Sequence, residues 1–146
     1  MILLPIHQNQ ELNADFASNP DCIEILEVYP SFYARVGFNP PWIGYFASLN
    51  HKLVGGGGFK GAPENGLVEI AYVTFTDYRG QGIGTQICRH LVMIALETDS
   101  NILITARTLP EDNASTRILK RNGFEFNRKV WDDEDGDVWE WFYKKF

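Results

Sequence analysis

Hydrophobic positions along this chain fall into short strand-like runs, and one longer stretch places them at helical spacing. Residues 68–75 are rich in β-branched and aromatic types and hold no Gly or Pro, which predicts a strand. From Thr85 to Thr98, apolar residues recur at Ile87, Leu91, Ile94 and Ala95, with Cys88, Val92 and Leu96 beside them. Only a narrow polar stripe remains (Gln86, Arg89, His90, Glu97), so the pattern predicts a largely buried helix. Between strand and helix, Gly80, Gly82 and Gly84 leave the backbone free of side chains where the chain turns. A helix N-terminus offers about four unpaired N–H groups and about half a positive charge, which suits a phosphate.

The flanking pattern is consistent with an α/β arrangement. Met1 to Ile6 reads as a first strand. Residues 11–36 have helical spacing with a break at Asn19-Pro20-Asp21 and another at Pro30, Ser31 then capping a last short piece through Val36. Gly37 to Pro41 is a turn, and Trp42 to Leu49 with Lys52 to Phe59 predict a hairpin about Asn50-His51. Gly55 to Gly58 weaken the returning strand, which fits either a twisted segment or the close approach of a ligand. Asn101 to Thr108 predicts a buried strand, so 68–75 and 101–108 should lie parallel and adjacent around the helix that joins them. Asn113 is a good N-cap for a helix to Arg121, ended by Asn122-Gly123. Two strands follow, Glu125 to Trp131 and Val138 to Lys144, joined by the acidic segment 132–137. One domain, 1–146, accounts for all of this.

Three glycine-rich readings compete for the turn. A dinucleotide fingerprint, G-x-G-x-x-G, fails because Thr85 or Ile87 falls on its last position. A P-loop fails because no Gly-Lys-Ser or Gly-Lys-Thr follows. What fits is Arg79-x-x-Gly82-x-Gly84 directly after a strand carrying an acid. It resembles the acetyl-coenzyme A signature of the GCN5-related N-acetyltransferase (GNAT) family. A second stretch, Asn113 through a short helix to Gly123-Phe124, resembles that family's later motif, in the family's order. The resemblance spans about residues 42–146.

This resemblance implies a mixed, twisted central sheet of six or seven strands flanked by helices, splayed between its two parallel central strands. Acetyl-coenzyme A would insert its pantetheine into the splay, held by backbone groups of Val73 and Phe75. The turn from Arg79 and Gly80 through Gln81, Gly82, Ile83 and Gly84 to Thr85 would hold the pyrophosphate, and the Asn113 side chain would contact the cofactor arm. Many members carry a Tyr five residues before the Phe of Gly-Phe, as general acid for the leaving thiolate; Leu119 stands there in this chain. Either Tyr72, Tyr78 or Tyr143 takes that role, or none is needed, because a thiol of pKa ~8.5 leaves tolerably unaided.

Glu69 is the candidate base. It shares a strand face with Ala71, Val73 and Phe75, and a carboxylate partly desolvated among apolar neighbours becomes a better base near neutrality. Its place also matches the catalytic glutamate of some family members; an exposed acid at the strand's start is the competing reading. The expected reaction is acetyl transfer to the primary amine of a small molecule or a peptide. A non-catalytic acyl-coenzyme A-binding regulator and a nucleotide-binding module are the alternatives.

Composition narrows the partners. A net charge of −6 argues against nucleic acid and mildly favours a cationic amine. No apolar run nears the ~20 residues of a membrane span. The start, Met1 to His7, is too short and lacks a basic leader for a signal peptide, so a cytoplasmic location is expected. Cys22 and Cys88 lie far apart and read as reduced thiols. The three histidines have no metal-ligand spacing, and the run 132–137 fails as a calcium loop and reads as a solvated hairpin tip. Self-association into a homodimer stays open.

Overall fold

The computed structural model describes residues 1–144; Lys145 and Phe146, the end of the expected domain, lie outside the described residues. The strands are β1 (Ile2–Pro5), β2 (Gly44–Leu49), β3 (Lys52–Phe59), β4 (Leu67–Thr74), β5 (Leu103–Thr108), β6 (Phe124–Asp132) and β7 (Gly136–Tyr143). The α-helices are α1 (Pro20–Val36), α2 (Ile83–Thr98) and α3 (Ala114–Arg121), with 3₁₀ segments at Gln10–Phe16 and Thr76–Tyr78. One sheet takes all seven strands in the order β1-β2-β3-β4-β5-β7-β6. Its β4–β5 pair is parallel and every other pair is antiparallel. This is the mixed sheet that the family resemblance implied.

Strand alternation sorts the core into two layers. Val68 and Ile70 of β4 face α2, where Ile87 and Leu91 come so near Gly57 that a Cβ there would lie 3.0 and 3.1 Å from them. On the other face Phe16, Phe46 and Phe75 pack in a row as tilted pairs, with ring centroids 4.7 and 6.5 Å apart. The glycine run of β3 is explained by its neighbours. A Cβ at Gly55 would lie 2.4 Å from the Val73 carbonyl oxygen, and one at Gly58 would lie 2.7 Å from Gly44 Cα. Close approach of protein backbone, rather than of a ligand alone, thus requires glycine there.

The break at Asn19 is real: Asn19 Oδ1 accepts from Asp21 N at 2.9 Å and caps α1. The expected break at Pro30 is not. α1 runs on through Val36, and Ser31 caps nothing; its hydroxyl donates to Val28 O at 3.1 Å within the same helix. A proline inside a helix costs about 3 kcal/mol. Ring packing within the helix and tertiary hydrogen bonds from it offset that cost. Tyr29, Phe32 and Tyr33 pack on one another, and Tyr33 Oη donates to Ile6 O (2.8 Å) while accepting from Gly44 N (3.0 Å). β2 starts at Gly44 rather than Trp42, and the last hairpin is longer than expected, with Asp132 and Gly136 paired and only residues 133–135 at its tip.

Candidate active site

β4 and β5 pair only from Leu67 to Ile70, opposite Leu103 to Ala106. Beyond Ile70, β4 pairs with β3 alone, and Arg107 and Thr108 pair with β7 alone. The two central strands therefore part, leaving backbone groups open between them. Alternation identifies those groups. Glu69 O accepts from Lys60 N and Phe75 N donates to Val54 O, both at 2.9 Å, so the odd-numbered residues of this stretch hydrogen-bond toward β3. Leu103 N donates to Gly66 O at 2.9 Å, so the even-numbered ones face β5. The open backbone groups belong to Tyr72 and Thr74. The expectation for Val73 and Phe75 is corrected accordingly: Val73 pairs with Gly56 in the β3 ladder, while buried Phe75 donates its N–H to Val54 O and its carbonyl accepts from Tyr78 N, both at 2.9 Å.

Past β4 the chain makes one 3₁₀ turn, and Gly80 and Gly82 take left-handed backbone, φ 79° and 76°. Gly82 stands at the N-cap of α2 with no side-chain cap, and Gln86 N donates to Gly82 O at 3.2 Å. The amides of Ile83, Gly84 and Thr85 thus end the helix without intrahelical partners. Thr85 Oγ1 is buried and has no hydrogen-bond partner among the described residues. A cavity of about 920 Å³ opens from this helix end toward the splay. Arg79, Arg117 and Arg121 line it, along with Tyr72, Thr74 and Asn113. Three guanidinium groups beside a positive helix end, with an orphaned hydroxyl among them, fit the pyrophosphate and the ribose phosphate of coenzyme A.

A second cavity, a groove of about 290 Å³, lies on the other face of the sheet between α1 and the glycines of β3. Its walls include Ile25, Val28, Tyr29 and Phe32 from α1 and Ala71 from β4. Both cavities reach Tyr72 and Val73, so they meet at the open stretch of β4. Lys60 stands at the groove's end, with Nζ 2.7 Å from Glu69 Oε2. This is a charge contact without hydrogen-bond alignment, since Oε2 has no aligned donor. The other Glu69 oxygen lies 3.6 Å from Arg107 Nε, and Arg107 Nη1 donates to Asp132 Oδ2 at 3.1 Å. Glu69 is thus the centre of a charged row, with 20% of its side chain exposed. Accepting a substrate proton would mean giving up a cation. That counts against the base role expected for it.

Comparison with known proteins now decides the family. The acetyltransferase (GNAT) domain matches residues 6–125. This chain belongs to the GNAT family. The curated relative named uncharacterized N-acetyltransferase YjdG, of Bacillus subtilis (strain 168), is 36% identical over 81 residues, 55% of this chain and 48% of that protein. The chain therefore spans about half the length of that relative. Among solved structures, aminoglycoside acetyltransferase AAC(6')-Ib in complex with coenzyme A aligns over 98% of this chain and 94% of that one, at TM-score 0.70 and 19% identity. The NatC complex bound to Gag peptide and coenzyme A aligns over 99% and 98%, at TM-score 0.69 and 19% identity. At such identities the likeness is one of fold.

Against the GNAT pattern, each expected residue can be placed. Arg79, Gly80, Gly82, Ile83, Gly84 and Thr85 line the larger cavity; Gln81 is exposed and outside its wall. Gly84 owes its identity to space, since a Cβ there would lie 2.6 Å from Ile118 Cδ1. Asn113 lines the cavity too, but its Oδ1 accepts from Thr116 N (3.0 Å) and Thr116 Oγ1 accepts from Asn113 N (3.0 Å), a complete capping box. Leu119 is fully buried, and Ile118 is the neighbour that faces the cavity. Of the three tyrosines, Tyr72 lines both cavities; its hydroxyl donates to Ser115 O at 3.2 Å, and burial pushes the phenol up so that it stays protonated.

Sequence reasoning missed Arg117 and Arg121. They sit one turn apart on α3, and that i, i+4 spacing inside the second motif was the available signal. It also missed Asn122, whose Nδ2 donates to Thr85 O at 3.2 Å and ties α3 to the first turn of α2. Among the described residues no helix is long and apolar enough to cross a membrane, and no His, Cys, Asp or Glu cluster could hold a metal ion.

Proposed function

We propose that this chain is an N-acetyltransferase that moves an acetyl group from acetyl-coenzyme A to a primary amine. The observation that carries the reading is the unpaired stretch of β4 at Tyr72 and Thr74. It is reached from one side by the arginine-lined cavity at the α2 N-terminus and from the other by a separate groove. A phosphate-bearing thioester and an acceptor can thus meet from opposite faces without sharing an entrance. Arg79, Arg117, Arg121 and the α2 amides bind the phosphates, while the open groups of Tyr72 and Thr74 fix the pantetheine amides. Acetyl-coenzyme A supplies an activated carbonyl. The amine lone pair forms the new C–N bond, the C–S bond breaks, and the nitrogen's proton ends on the departing thiolate. An open β4 amide is the donor available to the carbonyl oxygen as charge develops there. With Glu69 held between Lys60 and Arg107, the amine arrives neutral instead of being deprotonated by a side chain.

Two measurements test this. Calorimetry with coenzyme A should give one site per chain, and acetyl-coenzyme A with an amine panel should release free thiol. Binding without thiol release on every acceptor would identify a regulator that holds acyl-coenzyme A without turnover. Protection by ATP or NAD but not by coenzyme A would identify a nucleotide module.

A further inference from the structure

The groove under α1 is unlike a site for a polycation. No acid lines it among the described residues, and the one charge in its wall, Lys60, is already matched by Glu69 at 2.7 Å. Apart from Lys60 and the tyrosine hydroxyls, the lining side chains are apolar, and two of them are strongly exposed, Val28 (60%) on α1 and Val73 (43%) on β4. Small residues make its floor. Gly56, Gly58 and Ala71 open the sheet surface, and beside it Gly44 leaves room for the Tyr29 ring, since a Cβ at Gly44 would run into Tyr29 Oη. Burial pushes the Tyr29 phenol up to about 12, so it stays a neutral donor beside the groove. At about 290 Å³ the groove falls just below the range of drug-sized sites, so it suits one small body.

Resting on the acetyltransferase reading, we propose that the acceptor is a primary amine borne on a compact apolar body, aromatic or branched aliphatic, which fills this groove and points its nitrogen at Tyr72–Val73. The wall explains how the amine becomes nucleophilic without a free base. Apolar surroundings disfavour an ammonium ion, so the acceptor sheds its proton to water on entry and presents a lone pair to the thioester carbonyl. A polyamine or an aminosugar would bring several charges to a wall whose one neighbouring carboxylate among the described residues, Glu69, is already held by Lys60 and Arg107. The overall charge of −6 therefore says little about this substrate, because the acids lie elsewhere, notably in the 132–137 segment.

The test compares acceptors at equal concentration and pH, following free thiol: phenethylamine, leucinamide, a peptide beginning with Leu, spermidine and kanamycin. The apolar amines should exceed spermidine and kanamycin in kcat/KM by about tenfold or more, the scale that hydrophobic pockets discriminate on. The ranking within the apolar set tells a free amine from a peptide terminus. Ala71→Leu, which fills the floor, should lower apolar-acceptor kcat/KM by about tenfold while the coenzyme A Kd stays unchanged. Val28→Asp, at an exposed position where folding is not at stake, should lower the same acceptors and narrow their lead over spermidine. Spermidine or kanamycin turned over as fast as the apolar amines, or variants that leave the ranking untouched, would overturn the proposal and leave the acetyltransferase reading standing. No thiol release from any acceptor, with coenzyme A bound, would overturn both.

Discussion

At Gly82 a Cβ would meet no atom within 4 Å, so any loss on substitution must come from the backbone. Left-handed geometry costs a residue with a Cβ about 1–2 kcal/mol, and Gly82→Ala should lose that much stability. If α2 relaxes by restarting elsewhere, its three open amides turn away and coenzyme A affinity falls as well. Gly66 supplies the control: it has φ 77° and equally empty surroundings, in a hairpin remote from the cavity. Gly66→Ala should match the loss in urea unfolding and leave calorimetric affinity alone. Glu69→Gln separates two roles in the same spirit. A general base would be worth ~10²–10⁴-fold, with rescue at high pH. Pinned between Lys60 and Arg107, Glu69 should instead give a fall of less than about tenfold and an unchanged pH–rate profile. A steep loss that alkali restores would reinstate it as the base.

The β6–β7 hairpin shows what an element can add that a run of acids does not announce. Asp132 Oδ1 accepts from Glu134 N (2.9 Å) and Asp135 N (3.2 Å), and Oδ2 from Arg107. Those backbone donors first, and the guanidinium after them, hold the Asp132 carboxyl below its usual range. A carboxyl lowered by folding adds stability that is complete above its unfolded pKa, about 3.9, and is lost as pH falls through the lower folded value. Asp132→Asn should therefore be less stable than wild type at neutral pH, and the gap should close only in acid well below pH 4, followed by urea midpoints. A constant gap down to that range would mean that the carboxylate's charge contributes nothing. Elements were also where sequence reading failed. Pro30 read as a break because local propensity is all a sequence window holds, whereas the bonds from Tyr33 to Ile6 and Gly44 come from residues 27 and 11 positions away.

For the molecule as a whole, strand order along the chain, the parallel central pair and the glycine cradle were legible because each rests on neighbours in sequence. Register was not. Whether Val73 or Tyr72 turns its backbone to the splay depends on one residue of phase, which only the cross-strand bonds to Lys60 and Val54 set. Likewise, no window around Glu69 contains the Lys60 and Arg107 that surround it. The parting of β4 from β5 has one more consequence. A sheet ordinarily exposes unsatisfied strand borders at its two rims, where foreign chains can add themselves and aggregation begins. In this fold a raw border runs through the middle of the sheet, but it is only a few residues long and is overhung by α3 through the Tyr72–Ser115 bond. A flexible ligand thread can slip alongside it, whereas a second polypeptide strand, with side chains on both faces, cannot. The chain can thus keep a permanent gap in its sheet without becoming a template for its own polymerisation.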